Sequence, residues 1–248
     1  MHREVRTDDT GFGGIKVIQG KDFGYGVDSV LLAAFAAGET GCRGIRSGAK
    51  VADLGSGSGI IAFVISHKVP GTVITGIEKR TAAVEDASEA CLINGLQDRV
   101  SFVCCDVNEV RGKHDHDAVV CNPPYFRKSS SASDNERSDD RYTARHETTA
   151  DIGGFIRAAS SMLTAGGDLY LIHRPDRLAD IITAMREYGI EPKDLQPVVP
   201  VHGAAANMVM IHGTAGAGPQ LKFLPEIAVH TEDGGYTDTV LRIYERKQ

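Results

Sequence analysis

The sequence predicts an α/β fold built on a mostly parallel β-sheet. From Lys50 onward, short apolar runs alternate with longer helix-like stretches, the pattern expected when helices connect parallel strands. A glycine-rich turn at residues 55–59 joins the first apolar run to the first helix. At 248 residues, the chain can bury one large core with a small appendage. We therefore predict a main domain over residues 49–248 and a short N-terminal extension, residues 1–48, with one strand and one helix.

The N-terminal extension contains three segments of different character. Residues 1–10 are polar, and we expect them to be frayed. Residues 14–19 alternate like a strand, and the apolar run at residues 30–36 predicts a short helix. Asp28 and Ser29 precede this run, and either side chain suits the N-cap.

In the main domain, strands and helices should follow one another along the chain. The predicted strands are residues 51–54, 72–77, 99–104, 118–121, 167–173, 195–201 and 207–212, and the predicted helices are 60–67, 81–94, 152–163, 177–188 and 239–244. Thr81 is the expected N-cap of its helix, and Gly95 ends that helix. The last two strands favour an antiparallel hairpin at one side of the sheet, and residues 221–230 favour an extended edge segment. Residues 127–149 lack apolar periodicity and predict a long loop, either a solvated insertion or a lid that substrate orders.

The composition indicates an ordinary globular protein, which we expect to be cytoplasmic. Apolar residues make up 42% and charged residues 24% of the chain, with no 18-residue apolar run and no signal-peptide core at the N-terminus. The five cysteines are odd in number and include no C-x-x-C pair, so we expect buried, unreactive thiols. The net charge of −6 argues weakly against a nucleic-acid partner, which would need a local basic patch.

The histidines give no prediction of a metal site. His114 and His116 flank Asp115 before a predicted strand, and a solvated loop explains them better than metal ligation. His173, His202 and His212 lie near strand ends, and the sequence assigns them no role.

Three acidic side chains lie at or near the carboxyl ends of successive predicted strands. Asp53 lies within the first strand, Glu78 ends the second and Asp106 follows the third. The carboxyl ends of parallel strands meet at one edge, where such sheets bind ligands. The turn G-S-G-S-G lacks the G-x-G-x-x-G spacing of a pyrophosphate site, so it favours a nucleoside that carries an amino acid over a dinucleotide. Glu78 suits ribose hydroxyls, and Asp106 suits an adenine amino group.

The tetrapeptide Asn122-Pro123-Pro124-Tyr125 closes the apolar run 118–121. The prolines end the strand and place an amide and an aromatic ring at its carboxyl end. An ordinary turn is the simpler interpretation of these four residues alone. Together with the upstream glycine turn, they predict a site that holds a planar amide or amine.

These motifs together resemble the class I S-adenosylmethionine-dependent methyltransferases, which have a Rossmann-like, seven-stranded, mostly parallel sheet with one antiparallel strand and helices on both faces. The tetrapeptide is similar to the [DNS]-P-P-[YFW] motif of members that methylate amino groups. The segments Gly24–Ala33 and Ala144–Glu147 are similar to those of the bacterial tRNA1(Val) adenine-37 methyltransferase group. The resemblance implies methyl transfer from S-adenosylmethionine to the exocyclic amine of an adenine in tRNA.

The resemblance also implies roles for individual residues in binding the cofactor. Asp53 and the backbone of Gly55 and Gly57 would hold the methionine end, and Glu78 would bind the ribose. The remaining residues implied at the cofactor are Tyr25, Asp28, Asp106, Val107 and Asn122, with Asp106 and Val107 at the adenine. For Asp28 the alternatives stay open: it caps the helix, or the segment Tyr25–Asp28 folds over the cofactor.

At the transfer site, the resemblance implies that Asn122 and the Pro123 carbonyl accept both hydrogens of the target amine and that Tyr125 stacks on its plane. The base would flip out of its stack to reach them. The predicted substrate contacts are Pro124, Arg127, Lys128, Arg141, Arg145 and His146, with Arg242, Arg246 and Lys247 of the tail at phosphates.

Three alternatives are weighed against this prediction. A glutamine methyltransferase acting on release factors uses the same tetrapeptide, but a sizeable helical N-terminal domain would be expected before the glycine turn. A DNA adenine methyltransferase would need a base-recognition domain, and none is visible in the sequence. A non-catalytic module that binds cofactor or RNA would not need the intact tetrapeptide. The sequence leaves open the modified position and the oligomeric state.

Overall fold

The computed structural model of the protein describes residues 5–10, 12–20, 25–125 and 152–246. Its strands are β1 (Val5–Asp9), β2 (Lys16–Gly20), β3 (Lys50–Leu54), β4 (Val73–Glu78), β5 (Val100–Cys104), β6 (His116–Cys121), β7 (Leu163–His173), β8 (Ile190–Val199), β9 (Met208–Ala215), β10 (Lys222–Phe223) and β11 (Ile227–Ala228). Its helices are α1 (Val27–Ala36), α2 (Ile60–Lys68), α3 (Thr81–Ile93), α4 (152–162), α5 (Leu178–Glu187) and α6 (Asp238–Ile243).

Strands β3 to β9 correspond to the seven predicted strands, in the order β8-β9-β7-β6-β3-β4-β5, and belong to a nine-stranded sheet of the described residues. Strand β9 is antiparallel to β7 and β8, whereas the pairs among β3 to β7 are parallel. The predicted fold class is therefore confirmed. The short strands β10 and β11 both pair with β8 in parallel, where the sequence predicted an extended edge segment.

Two apolar clusters fill the two faces of the sheet. Because side chains alternate along a strand, Val51 of β3 packs with α1 and α2, whereas Ala52 and Leu54 pack with α4 and α5. Helix α1 is buried from Ser29 to Ala36 and belongs to the same cluster as α2. The domain boundary at residue 48 stays a prediction. None of the described helices combines the length and apolar character that a membrane crossing requires, and the cytoplasmic location stays a prediction.

The register of the sheet aligns the carboxyl ends of four strands. Leu54 of β3 pairs with Ile77 of β4 and with Cys121 of β6, and Glu78 pairs with Cys104 of β5. The chain runs from β3 to β4 on one side, but β6 lies on the other side of β3. The segments that follow β3 and β6 therefore meet at the point where the strand order reverses, which is where open α/β sheets bind ligands.

Several local predictions were wrong. Residues 5–9 are not frayed, since they pair antiparallel with β2. Helices α1 and α3 begin after Gly26 and Arg80, and neither N-cap makes a side-chain hydrogen bond, so Asp28, Ser29 and Thr81 are not caps.

Two predictions of burial were also wrong. Cys104 is exposed and Cys105 half-buried, because β5 is the edge strand of the sheet. His116 is the first residue of β6 and is buried, so it does not lie in a solvated loop.

A buried polar cluster, to which the sequence assigned no role, ties β7, β8 and β9 together. His212 Nε2 lies 3.0 Å from Asp168 Oδ1, and its Nδ1 lies 2.8 Å from Asp194 Oδ2. Cys42 Sγ lies 3.6 Å from the same Asp194 oxygen. Both ring nitrogens of His212 already face carboxylates. The hydrogen bonds within the cluster are therefore satisfied, and we interpret the cluster as a structural link between the strands.

Candidate active site

The glycine turn after β3 is held against β4 by its backbone. The amides of Gly55 and Ser56 donate to the Ile77 carbonyl oxygen over 2.8 and 3.1 Å. Gly55 and Gly57 have φ angles of +73° and +54°, a region that residues with a Cβ rarely adopt. The sequence predicted this turn correctly, since the glycines are required by the backbone conformation itself.

Asp53 lies beneath this turn and is fully buried. Neither of its carboxylate oxygens makes a hydrogen bond of ordinary geometry with a described residue. Burial raises the pKa of Asp53 to about 7, and the charge of Glu78 adds to the rise, while the backbone of Ala62 lowers the pKa in part. Burying a carboxyl group without a hydrogen-bond partner costs folding free energy. Such a group is characteristic of a position where a ligand or an ordered water binds.

Glu78, at the end of β4, is bonded to the turn and to a cation. Its Oε2 accepts from the Gly57 amide at 3.1 Å, and its Oε1 accepts from Arg80 N at 3.0 Å and Arg80 Nε at 2.8 Å. Burial raises the pKa of Glu78, but the bonds from Arg80 and Gly57 outweigh burial, so the net pKa lies below its ordinary value. Glu78 is therefore an anion held beside the glycine turn. Arg80 was not among the predicted site residues, although it lies two residues after Glu78 in the sequence.

Asp106 lies two residues beyond the end of β5 and stabilises the next turn. Its Oδ1 accepts from the Asn108 amide at 2.9 Å and from Asn108 Nδ2 at 3.1 Å, which makes it the N-cap of a short 3₁₀ turn, Val107–Glu109. Val107 itself is buried. The predicted contact between Asp106 and an adenine amino group stays a prediction.

Asn122 follows β6, and α1 fixes the orientation of its amide. Its Nδ2 donates to Asp28 Oδ2 and to Ser29 Oγ, each over 3.1 Å. Both partners lie in the first turn of α1, about 90 residues earlier in the chain. This contact between α1 and the tetrapeptide is new, since the sequence assigned Asp28 either to a cap or to the cofactor.

Tyr125 closes the same group of polar atoms. Its hydroxyl lies within hydrogen-bond distance of Asn122 Oδ1 and 2.8 Å from Asp28 Oδ2. Its ring packs edge-on against His173, with 5.2 Å between ring centroids and an interplanar angle of 80°. Burial and the nearby Asp28 charge raise the pKa of the Tyr125 hydroxyl far above its ordinary value, so the phenol stays neutral.

The remaining predicted residues are only partly described. Pro123 is buried and Pro124 exposed, and Tyr25 is half-buried against the apolar cluster of α1. Arg242 and Arg246, in and after α6, are exposed. The other predicted substrate contacts lie outside the described residues; they are Arg127, Lys128, Arg141, Arg145, His146 and Lys247.

Comparison with known proteins supports the predicted fold class. The family model "Methyltransferase small domain" matches residues 30–138. A crystal structure of a predicted O-methyltransferase from Agrobacterium tumefaciens superposes with a TM-score of 0.69 at 20% identity, covering 88% of this chain and 95% of the other. TrmN from Thermus thermophilus superposes with a TM-score of 0.53 at 19% identity, over 75% of this chain and 48% of the other. The chain has the class I methyltransferase fold, and its predicted resemblance to that class is confirmed.

Curated relatives carry a more specific name. A tRNA1(Val) (adenine(37)-N6)-methyltransferase from Porphyromonas gingivalis is 34% identical over 161 residues, which are 63% of this chain and 60% of the relative. A protein of the same name from Aeromonas hydrophila is 27% identical over 220 residues, covering 88% of this chain and 87% of the relative. The predicted similarity to this group of proteins is thereby confirmed as well.

Proposed function

We propose that the protein transfers a methyl group from S-adenosylmethionine to the exocyclic amine of an adenine in tRNA. The orientation of the Asn122 amide carries this proposal. Because Nδ2 is bonded to α1, Oδ1 is the amide atom that can accept a hydrogen bond from a substrate amine, in exchange for its contact with the Tyr125 hydroxyl. An acceptor at this position, next to the glycine turn, is what transfer to a planar nitrogen requires.

The residues around the glycine turn fit S-adenosylmethionine. The buried Asp53 carboxyl has no hydrogen-bond partner among the described residues, and the backbone at Gly55 and Gly57 allows close approach of a ligand. Glu78 is an anion at the strand end where acidic side chains suit ribose hydroxyls. Asp53 and the turn would hold the methionine end, and Glu78 would hold the ribose.

The chemistry assigned to Asn122 and Pro123 follows from the electronic structure of the amine. The nitrogen lone pair of adenine N6 is delocalised into the ring, so the amine is a poor nucleophile. Two acceptors, Asn122 Oδ1 and the Pro123 carbonyl oxygen, favour a pyramidal nitrogen whose lone pair is available. When bound, S-adenosylmethionine would supply an electrophilic methyl group: its carbon–sulfur bond would break as the carbon–nitrogen bond forms, the neutral thioether S-adenosylhomocysteine would leave, and the methylated amine would then release its proton to water.

The choice of tRNA as the substrate is supported by the names of the relatives, which match over 88% of this chain in the longer alignments. A flipped base would expose the amine to Asn122, and the ring of Tyr125 would stack on that base. The exposed Arg242 and Arg246 offer positive charge to phosphates despite the net charge of −6. The names also make adenine 37 of tRNA1(Val) the first position to test.

A transfer assay with radiolabelled methyl groups tests the proposal. Bulk tRNA, a release-factor protein and duplex DNA are incubated in parallel with the protein and labelled S-adenosylmethionine. We expect label in tRNA, recovered as N6-methyladenine after digestion. Labelled release factor with blank tRNA would assign the protein to glutamine methylation, and no label in any acceptor would contradict catalysis.

The substitution Asn122→Ala tests the role of the amide. We expect turnover to fall by roughly 100-fold or more, because the acceptor acts on the transition state, while the dissociation constant of S-adenosylmethionine stays within about twofold. Asn94→Ala is the matched control, since among the described residues the Asn94 side chain bonds to the backbone of Lys16 and Ala90, away from the carboxyl ends of the strands. That control should lose stability and keep its turnover number; equal losses in both variants would refute the assignment.

A further inference from the structure

We infer that Asp28 and Ser29 are positioning residues, which hold the Asn122 amide so that its oxygen rather than its nitrogen faces the substrate amine. The inference rests on the proposed function for the role of Asn122 in transfer. It assigns to the first turn of α1 a role in the reaction itself, where the sequence suggested a helix cap or a contact with the cofactor.

The hydrogen bonds fix the amide by a simple count of donors and acceptors. Asn122 Nδ2 has two hydrogens, and the oxygens of Asp28 and Ser29 each lie 3.1 Å away. An ionised carboxylate only accepts hydrogen bonds, so the Asn122 atom that faces Asp28 must be the nitrogen. A reversed amide would put two oxygens against each other.

The orientation of this amide decides whether the site can work. A target amine approaches with two N–H donors and needs acceptors. If Asn122 turned its NH₂ group toward the amine, donor would face donor, and the lone pair of the amine would be aimed away from the methyl group. Asp28 therefore acts through Asn122 and needs no contact of its own with the substrate.

Helix α1 is a rigid support for these two residues. It is buried from Ser29 to Ala36 and packs in one apolar cluster with α2, so its first turn has little freedom to move. The first turn of a helix also stabilises negative charge, and Asp28 lies in that turn. Both features keep the Asp28 carboxylate in position to accept from Asn122 Nδ2 before the substrate binds.

The competing assignment is that Asp28 binds the cofactor directly. In the structure, Asp28 Oδ2 already receives bonds from Asn122 Nδ2 and lies 2.8 Å from the Tyr125 hydroxyl. A cofactor ligand and a positioning residue differ in what a substitution changes. Loss of a ligand weakens cofactor binding, whereas loss of a positioning residue lowers turnover at saturating cofactor.

An exchange of the two side chains tests the contact. The variants are Asp28→Asn, Asn122→Asp and the double variant, in which the amide and the carboxylate trade places. Asn122→Asp sets two carboxylates side by side, although Asp at this position fits the [DNS]-P-P-[YFW] motif. In the double variant, the amide at position 28 donates to the carboxylate at position 122, so a donor–acceptor pair is restored.

We expect Asp28→Asn to lower kcat by roughly 10- to 100-fold and to leave the dissociation constant of S-adenosylmethionine within about twofold. The double variant should recover turnover by roughly tenfold over Asn122→Asp alone. Asp117→Asn is the matched control, because Asp117 lies in the same strand β6 and bonds to Arg46 Nη2 and Lys50 N, far from Asn122. It should lose stability without a change in kcat.

Three results would overturn the inference. They are an unchanged kcat in Asp28→Asn, a loss of cofactor affinity as large as the loss of kcat, and a double variant no better than Asn122→Asp. Urea unfolding of wild type, Asp28→Asn, Asn122→Asp and the double variant tests the contact without substrate. If the two side chains are direct neighbours, the double variant should recover part of the free energy of unfolding that Asn122→Asp loses. A wild-type chain that labels no nucleic acid would refute the proposed function, while the unfolding cycle would still decide the contact between Asp28 and Asn122.

Discussion

The buried carboxyl of Asp53 predicts a specific dependence of stability on pH. In the folded chain, burial raises its pKa from an ordinary 3.8 to about 7. Between these two values, the unfolded chain has released the proton and the folded chain still binds it. The unfolded state therefore binds fewer protons, and the free energy of unfolding must fall as pH rises.

The size of this effect follows from the shift in pKa. Each unit corresponds to about 1.4 kcal/mol, so a rise of roughly three units costs about 4 kcal/mol once the pH exceeds 7. Asp53→Asn keeps the shape of the side chain and removes the titration. The stability of the variant relative to wild type should thus increase by about 4 kcal/mol from pH 4 to pH 8.

Urea unfolding of both proteins across this pH range measures the difference. Titrating groups that do not interact with Asp53 contribute equally to both chains, so their contributions cancel in the comparison. A constant cost of burying the new amide shifts the whole curve without changing its slope. The difference should also be similar in about 0.1 M and about 1 M salt, because a fully buried charge is screened little. A difference that stays flat with pH would show that Asp53 does not titrate near neutrality and would refute the argument.

Two further predictions concern the ligand groups. Glu78→Gln removes the anion proposed to hold the ribose, and it should raise the dissociation constant of S-adenosylmethionine by roughly tenfold or more in calorimetric titration. The control Glu191→Gln breaks a comparable ion pair with Arg186, at 3.3 Å, and should leave this dissociation constant unchanged. Tyr125→Phe keeps the ring and should retain kcat within roughly threefold, whereas Tyr125→Ala should lose roughly 10- to 100-fold in kcat/KM because it removes the stacking surface; equal losses in both would place the function in the hydroxyl.

Local features of the sequence predicted the parts of the site that depend on local conformation. The glycines of the turn are required by positive φ angles within five residues, and Asn122 is marked by the prolines that end its strand. The alternation of strands and helices likewise predicted a mostly parallel sheet, and the resemblance to class I methyltransferases implied its one antiparallel strand; both agree with the structure. In each of these cases, neighbours in the chain determine the outcome.

The features that the sequence did not predict depend on distant segments. Asp28 and Asn122 are 94 residues apart, and nothing local to Asp28 distinguishes a helix cap from a partner of that amide. Cys104 was expected to be buried because an apolar run predicts a strand, but the run does not say that β5 forms the edge of the sheet. Pairing between segments far apart in the chain determines both the partner of Asp28 and the exposure of Cys104.

The hydrogen bonds of the tetrapeptide also indicate where substrate affinity must come from. Asn122 Oδ1 already lies against the Tyr125 hydroxyl, so an amine that bonds to this oxygen replaces an existing bond. The Tyr125 hydroxyl has one proton and a second acceptor, Asp28 Oδ2, at 2.8 Å, so it can turn to that acceptor when the amine arrives. Such an exchange of one bond for another contributes little net binding energy. Asn122 and Asp28 should therefore determine kcat, whereas stacking on Tyr125 and contacts with phosphates should determine KM.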